Sequence, residues 1–237
     1  MIRISNLSKS YTKGVKAVDN LSLEVLSGDL FGFIGHNGAG KTTTIKSVVG
    51  ILPFDEGAIT IDDIYISKRP IECKKIMAYI PDNPEMYESL TGLQYINLVG
   101  DIFRVPADTR RQRVEEYGGL FELVDVLNDP ISSYSHGMKQ KLEIITALMH
   151  DPKILVLDEP FVGLDPKASF TLKGIMKDFC DKGNAIFFST HVLEVAEKLC
   201  NKIAIIKNGK LVACGAMEDV KGDSTLENVF LELTDNE

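Results

Sequence analysis

Gly35-His36-Asn37-Gly38-Ala39-Gly40-Lys41-Thr42 has the G-x-x-x-x-G-K-[ST] spacing and follows the apolar run Leu30 to Ile34. Glycines at these positions let the backbone turn tightly enough to aim several N–H groups at a triphosphate. Lys41 then brings a cation near the β- and γ-phosphates, and the Thr42 hydroxyl can ligate Mg²⁺. The residues from Thr42 and Thr43 to Val49 read as a helix whose N-terminal dipole favours the same anion. The stretch predicts a nucleoside triphosphate site between a strand and a helix.

Working outward, apolar strands alternate with amphipathic helices. Ile2–Ile4, Leu21–Val25, Ala58–Ile61 and Tyr65–Ile66 read as strands, with Asp62-Asp63 as a hairpin turn. From Pro81 to about His150 the pattern becomes helical. Thr91-Gly92-Leu93-Gln94 is a capping-box pattern ahead of Ile96, Val99 and Phe103, and a second helix carries Val114, Tyr117 and Phe121. Strands return at Ile154–Leu157 and Ala185–Ser189. Between them Asp165-Pro166 makes an N-cap and first-turn pair for a helix with Leu172, Ile175, Met176 and Phe179 on one face, ending near Gly183. A helix over about Val192–Leu199 follows, then a hairpin turning on Asn208-Gly209. This alternation predicts a parallel sheet with helices on both faces, the middle segment being a helical insertion.

Composition narrows the partners. The 237 residues are 44% hydrophobic and 25% charged, with a net charge of −8. That balance argues against nucleic acid, which needs clustered Lys and Arg. The one basic cluster, Arg110-Arg111-Gln112-Arg113, runs into Glu115-Glu116 and reads as a solvated helix face. Cys73, Cys180, Cys200 and Cys214 are too scattered for a metal motif and read as reduced thiols filling core space. No secretory apolar segment follows Met1, and no window approaches about 18 consecutive apolar residues, so the chain is not expected to span a membrane itself.

The second chemical element is Asp151-Pro152-Lys153-Ile154-Leu155-Val156-Leu157-Asp158-Glu159-Pro160. Four apolar residues deliver two adjacent carboxylates to the end of a buried strand. Alternation sends neighbouring side chains apart, so the two acids take separate roles. Asp158 is expected to hold Mg²⁺, directly or through water, and Glu159 to polarise the water that attacks the γ-phosphate.

In this order the motifs resemble the ATPase subunit of ABC transporters over nearly the whole chain, and Tyr134-Ser135-His136-Gly137-Met138-Lys139-Gln140 resembles that family's signature segment. The resemblance implies an α/β fold with a P-loop NTPase (RecA-like) core, an antiparallel β-subdomain and an inserted α-helical subdomain. The whole chain then forms a single ATPase domain: a nucleotide-binding core from 1–82 and 151–215, a helical subdomain from 83–150 and a helical tail from 216–237.

It also implies that Ser135 and Gly137 contact the γ-phosphate of ATP held by a second copy of the chain or a homologous subunit. His191 corresponds to the histidine that orients the attacking water, Asp165 to the loop that crosses the dimer interface, and Tyr11 to the aromatic that stacks on adenine. Three positions depart from the family pattern: His136 stands where glycine is usual, Met138 where glutamine is usual, and Asp82 where a metal-touching glutamine is usual. Asp82 is expected to meet the metal directly or through water.

The implied activity is hydrolysis of ATP, with Mg²⁺, at the inner face of the cell membrane by a cytoplasmic, peripheral subunit. It would drive a separate integral membrane permease. The tail Leu226 to Thr234 resembles that of ATPases paired with export-type permeases. The alternative is an ATPase energising an assembly such as an iron–sulfur scaffold. A module that closes on ATP without turnover fits less well, since Glu159 and His191 fill both hydrolytic positions.

Overall fold

The computed structural model describes residues 1–12 and 14–235. A long hairpin, β1 (Ile2–Thr12) and β2 (Val15–Val25), leads into β3 (Leu30–Ile34), the glycine-rich turn and α1 (Lys41–Val48). Then come β4 (Glu56–Ile61), β5 (Ile64–Tyr65), α2 (Pro70–Lys75) and β6 (Met77–Ile80). The helical stretch holds α3 (Gly92–Ile102), α4 (Ala107–Leu120) and α5 (His136–Ala147). After it run β7 (Ile154–Asp158), α6 (Pro166–Asp181), β8 (Ala185–Thr190), α7 (Leu193–Leu199), β9 (Lys202–Lys207) and β10 (Lys210–Ala216). The described chain finishes with α8 (Met217–Lys221) and α9 (Leu226–Asp235).

The main sheet has the order β10-β9-β3-β8-β7-β6, parallel from β9 to β6, with β10 added antiparallel at one edge. Strand parity divides the core in two. In β3, Leu30 and Ile34 join one apolar cluster while Phe31 and Phe33 join the other; in β7, Leu155 and Leu157 separate from Ile154 and Val156 in the same way. Both faces are covered, so these strands read as unbroken apolar runs.

Helices lie on both faces, as expected, and the antiparallel β-subdomain shares one of them. One face carries α5, α6 and α7 through Leu142, Leu172, Met176 and Ala196. The other carries α1 through Ile45 and Val48, and a second, antiparallel sheet of order β2-β1-β4-β5. The reason lies in β2, where Leu21, Leu23 and Val25 are buried and Ser22 and Glu24 are exposed. A strand with one apolar row packs as a sheet face and needs no helix.

Local signals act as their chemistry dictates. Thr91 Oγ1 accepts from Gln94 N at 3.2 Å and Gln94 Oε1 accepts from Thr91 N at 2.9 Å, closing the capping box of α3. Asp62-Asp63 and Asn208-Gly209 all take positive φ, as a type I′ hairpin requires. Two expectations are corrected. β1 is eleven residues long, not three, because β2 and β4 flank it on both sides past Ile4. Cys214 is exposed, because it lies on the edge strand β10, whereas Cys73, Cys180 and Cys200 are buried. Among the described residues no helix is long and apolar enough to cross a membrane.

Candidate active site

The turn between β3 and α1 is held by sterics. Gly40 sits at φ 110°, and a Cβ there would lie 2.5 Å from the Ala17 carbonyl oxygen. A Cβ on Gly35 would lie 2.6 Å from the Ile206 carbonyl oxygen. Only glycine fits either position. No side chain caps α1, so its first N–H groups stay available to an anion. Ala39 is buried, whereas His36, Asn37 and Gly38 are exposed at the cleft. Lys41 Nζ is folded into the loop: it donates to the Gly35 oxygen at 2.7 Å and the His36 oxygen at 3.3 Å, and lies 3.6 Å from Glu159 Oε1.

The two acids at the end of β7 have different surroundings. Asp158 pairs in register with Ser189 of β8 and is fully buried. The Ser189 hydroxyl donates to Asp158 Oδ1 and accepts from the Glu159 N–H at 3.0 Å, fixing both acids. Burial raises the Asp158 pKa, opposed by hydrogen bonds from Ser189 and Thr42. Its Oδ2 is buried without a hydrogen-bond partner. An orphaned carboxylate oxygen beside the Thr42 hydroxyl at a helix N-terminus fits Mg²⁺, which completes its shell with phosphate oxygens and water. Among the described residues there is no cluster of three acids, histidines or cysteines that would hold a metal unaided.

Glu159 takes φ 49°, a left-handed conformation costly for a side chain of its size. Its Oε2 lies 3.0 Å from His191 Nδ1 and accepts from the His191 backbone N–H at 3.4 Å. His191 follows β8 directly, so strand register delivers it to its partner.

Tyr11, Asn37, Thr42, Thr43, Asp82 and Glu159 line one open cleft of about 380 Å³. The Tyr11 hydroxyl is 3.2 Å from Thr43 Oγ1, and the residue is 64% exposed. Asp82 is exposed and close enough to push the Asp158 pKa up further.

Ser135, Gly137 and Asp165 lie apart from this cleft and with one another. Ser135 caps α5 by accepting from Met138 N at 3.2 Å. A Cβ on Gly137 would come within 2.7 Å of the Gly163 oxygen, and a Cβ on Gly163 would collide with the His136 ring. Asp165 caps α6 through Ala168 N at 2.8 Å and pairs with Lys141 Nζ at 2.7 Å. Sequence reading missed Ser189 as a functional residue. Its only signal is its place opposite Asp158 in the sheet, which needs the register to be known.

The family described as ABC transporter matches residues 18–162, well over half of the chain. The chain belongs to that family. A linearmycin resistance ATP-binding protein of Bacillus subtilis is 34% identical over 93% of this chain and 70% of its own length. A solved ATP-binding subunit of an ABC transporter superposes with a TM-score of 0.94 at 32% identity, covering 98% of this chain and 99% of that one. A dimeric ATP-binding cassette in a post-hydrolysis state, bound to ADP and Pi, superposes with a TM-score of 0.83 at 24% identity, covering 92% and 99%. The protein is therefore an ATP-binding ATPase subunit of the ABC transporter type. In this ABC subunit the unusual His136 packs on its own chain's Gly163, so its ring lies against the loop that leads to Asp165.

Proposed function

We propose that two copies of this chain close head to tail around two ATP molecules and that hydrolysis drives export through a separate integral membrane permease. The dimer reading rests chiefly on one observation: among the described residues, the cleft that holds Lys41 includes none of Tyr134–Gln140. Ser135 is exposed at the start of α5, where its helix can offer N–H donors to an anion outside its own chain. The dimeric cassette with bound ADP and Pi supports the same arrangement.

Within each site Lys41 leaves the Gly35 and His36 carbonyls for the phosphate oxygens, and the open N-terminus of α1 adds N–H donors. Thr42 and Asp158 would hold Mg²⁺, with Asp82 meeting it directly or through water, and the ion supplies charge neutralisation on the phosphates. Glu159 accepts the proton of the attacking water, and His191 keeps its carboxylate aimed. Tyr11 stacks on adenine, and its exposed face tolerates any flat base. The partner's Ser135 and Gly137 close the site over the γ-phosphate, and the partner's Asp165 loop crosses beside them.

Ser135→Arg tests the shared site. The monomer should bind ATP as before, while turnover falls at least about tenfold and the ATP-dependent dimer is lost from sedimentation profiles. Wild-type turnover in this variant overturns the reading.

The permease is assigned to a groove of about 280 Å³ between core and helical stretch, lined by Ala78 and Tyr79 of β6, Tyr95 of α3, Phe103 just after it, and Glu143 of α5. Tyr79 Oη and Glu143 Oε2 are buried there without hydrogen-bond partners. An apolar groove with an unpaired carboxyl suits a permease helix that presents one basic side chain. The relative named for linearmycin resistance favours export, as does the tail. Such a subunit works in the cytoplasm, peripheral on the inner face of the cell membrane. Pull-down from detergent-solubilised native membranes tests this: recovery of a multispanning protein supports it, and recovery of a soluble assembly complex overturns it.

The same carboxyl gives a prediction for the isolated chain. Burial pushes Glu143 up to about 7, from an ordinary 4.5. Between those values the folded chain holds a proton that the unfolded chain has lost, so stability falls as pH rises through the window and stays reduced above it. Glu143→Gln should therefore raise the melting midpoint at pH 8, by up to ~3 kcal/mol of stability, and change little at pH 5. Equal shifts at both pH values in thermal melts would contradict it.

A further inference from the structure

The last helix of the described chain reaches the phosphate loop. The Phe230 ring on α9 meets the His36 imidazole edge-on, with centroids 4.7 Å apart and planes at 62°. Phe230 is buried, and Leu226 one turn before it is fully buried in the same apolar cluster as Ala196 of α7. The start of α9 is fastened by the Leu226 N–H donating to Glu197 Oε2 at 3.2 Å, and Glu197 also pairs with Lys221 at 3.4 Å. Glu197 belongs to α7, which begins two residues after His191. One helix therefore contacts both the loop expected to hold the phosphates and the helix that follows the histidine facing Glu159.

Between Gly35 and Gly40 there are only three side chains. Ala39 is buried beneath the loop and Asn37 is exposed at the cleft. His36 alone has a ring contact with a distant part of the chain. Its carbonyl accepts from both Lys41 Nζ at 3.3 Å and Ala39 N at 3.1 Å, so its peptide group is part of the loop's framework. A glycine-rich turn loses much conformational freedom when it closes on a ligand, and an outside contact that restrains it beforehand raises affinity.

We propose that α9 is a positioning element of the nucleotide site: Phe230 holds His36, and the tail thereby presets the phosphate loop for binding. The tail acts on affinity, and the chemical step is left alone.

The test uses the full chain, with Mg-ADP titrated calorimetrically and ATP turnover measured in parallel. Phe230→Leu keeps an apolar side chain in the buried site but removes the ring, and should weaken ADP binding about three- to tenfold. KM for ATP should rise by the same factor, with saturating turnover within twofold. Phe230→Tyr should behave as wild type. His36→Ala should match the Phe230→Leu loss, and the double variant should lose no more than either alone, because both report one contact. A purely structural tail would lower the melting midpoint and leave ADP affinity and KM within twofold of wild type. That result overturns the proposal, and so does a double variant whose losses add.

Discussion

Lys41→Ala is expected to weaken ATP binding by about a hundredfold or more while the fold persists. The Lys41 side chain is 6% exposed and folded into the loop, and among the described residues the cleft lining holds no other lysine or arginine to substitute for it. Removing one partner of a desolvated charge pair costs ~2–5 kcal/mol, and a triphosphate offers that charge in concentrated form. The scaffold does not depend on the ammonium. β3 stays buried on both faces, and Ile45 and Val48 still anchor α1 in the core. The Gly35 and His36 carbonyls released by the change face an open cleft, where water satisfies them. Calorimetric titration with ATP, beside a thermal melt, separates site from scaffold. Unchanged affinity would show that the loop has been assigned the wrong ligand.

Glu159→Gln is the second large effect. The amide keeps the shape, and the residue's backbone N–H still donates to the Ser189 hydroxyl, but the side chain cannot accept the proton of the attacking water. Turnover should fall about 10²- to 10⁴-fold, with ATP binding retained. Because the nucleotide is then no longer consumed, the joined pair should accumulate in size-exclusion chromatography with ATP and magnesium. Phosphate release equal to wild type would remove Glu159 from its proposed role. Release that falls without any dimer at high protein concentration would remove the sandwich.

What could be read from residue order alone was whatever chemistry confines to a short stretch. Gly35–Thr42 and Ile154–Glu159 are contiguous because one turn or one strand end must supply the whole group. Thr91, Ser135 and Asp165 announce helix starts because a cap acts over three residues. Asp62-Asp63 and Asn208-Gly209 announce turns because few residues accept positive φ. Features that join distant residues left no such mark. Ser189 matters because register sets it opposite Asp158. Phe230 reads as an ordinary apolar helix residue until its ring is seen against His36. Glu143 looks like any polar position on a helix, yet the fold buries it in a groove. The second sheet was expected only through the family resemblance: parity says that two faces are covered and is silent on what covers them.

Lys141 ties the Asp165 loop to the helix that begins at Ser135, and Gly137 and Gly163 meet backbone to backbone with no room for a methyl group between them. Neither segment can slide past the other. If two copies join as proposed, each chain would present these two segments to its partner as one stiff jaw, so that both would meet the partner's nucleotide together rather than in turn.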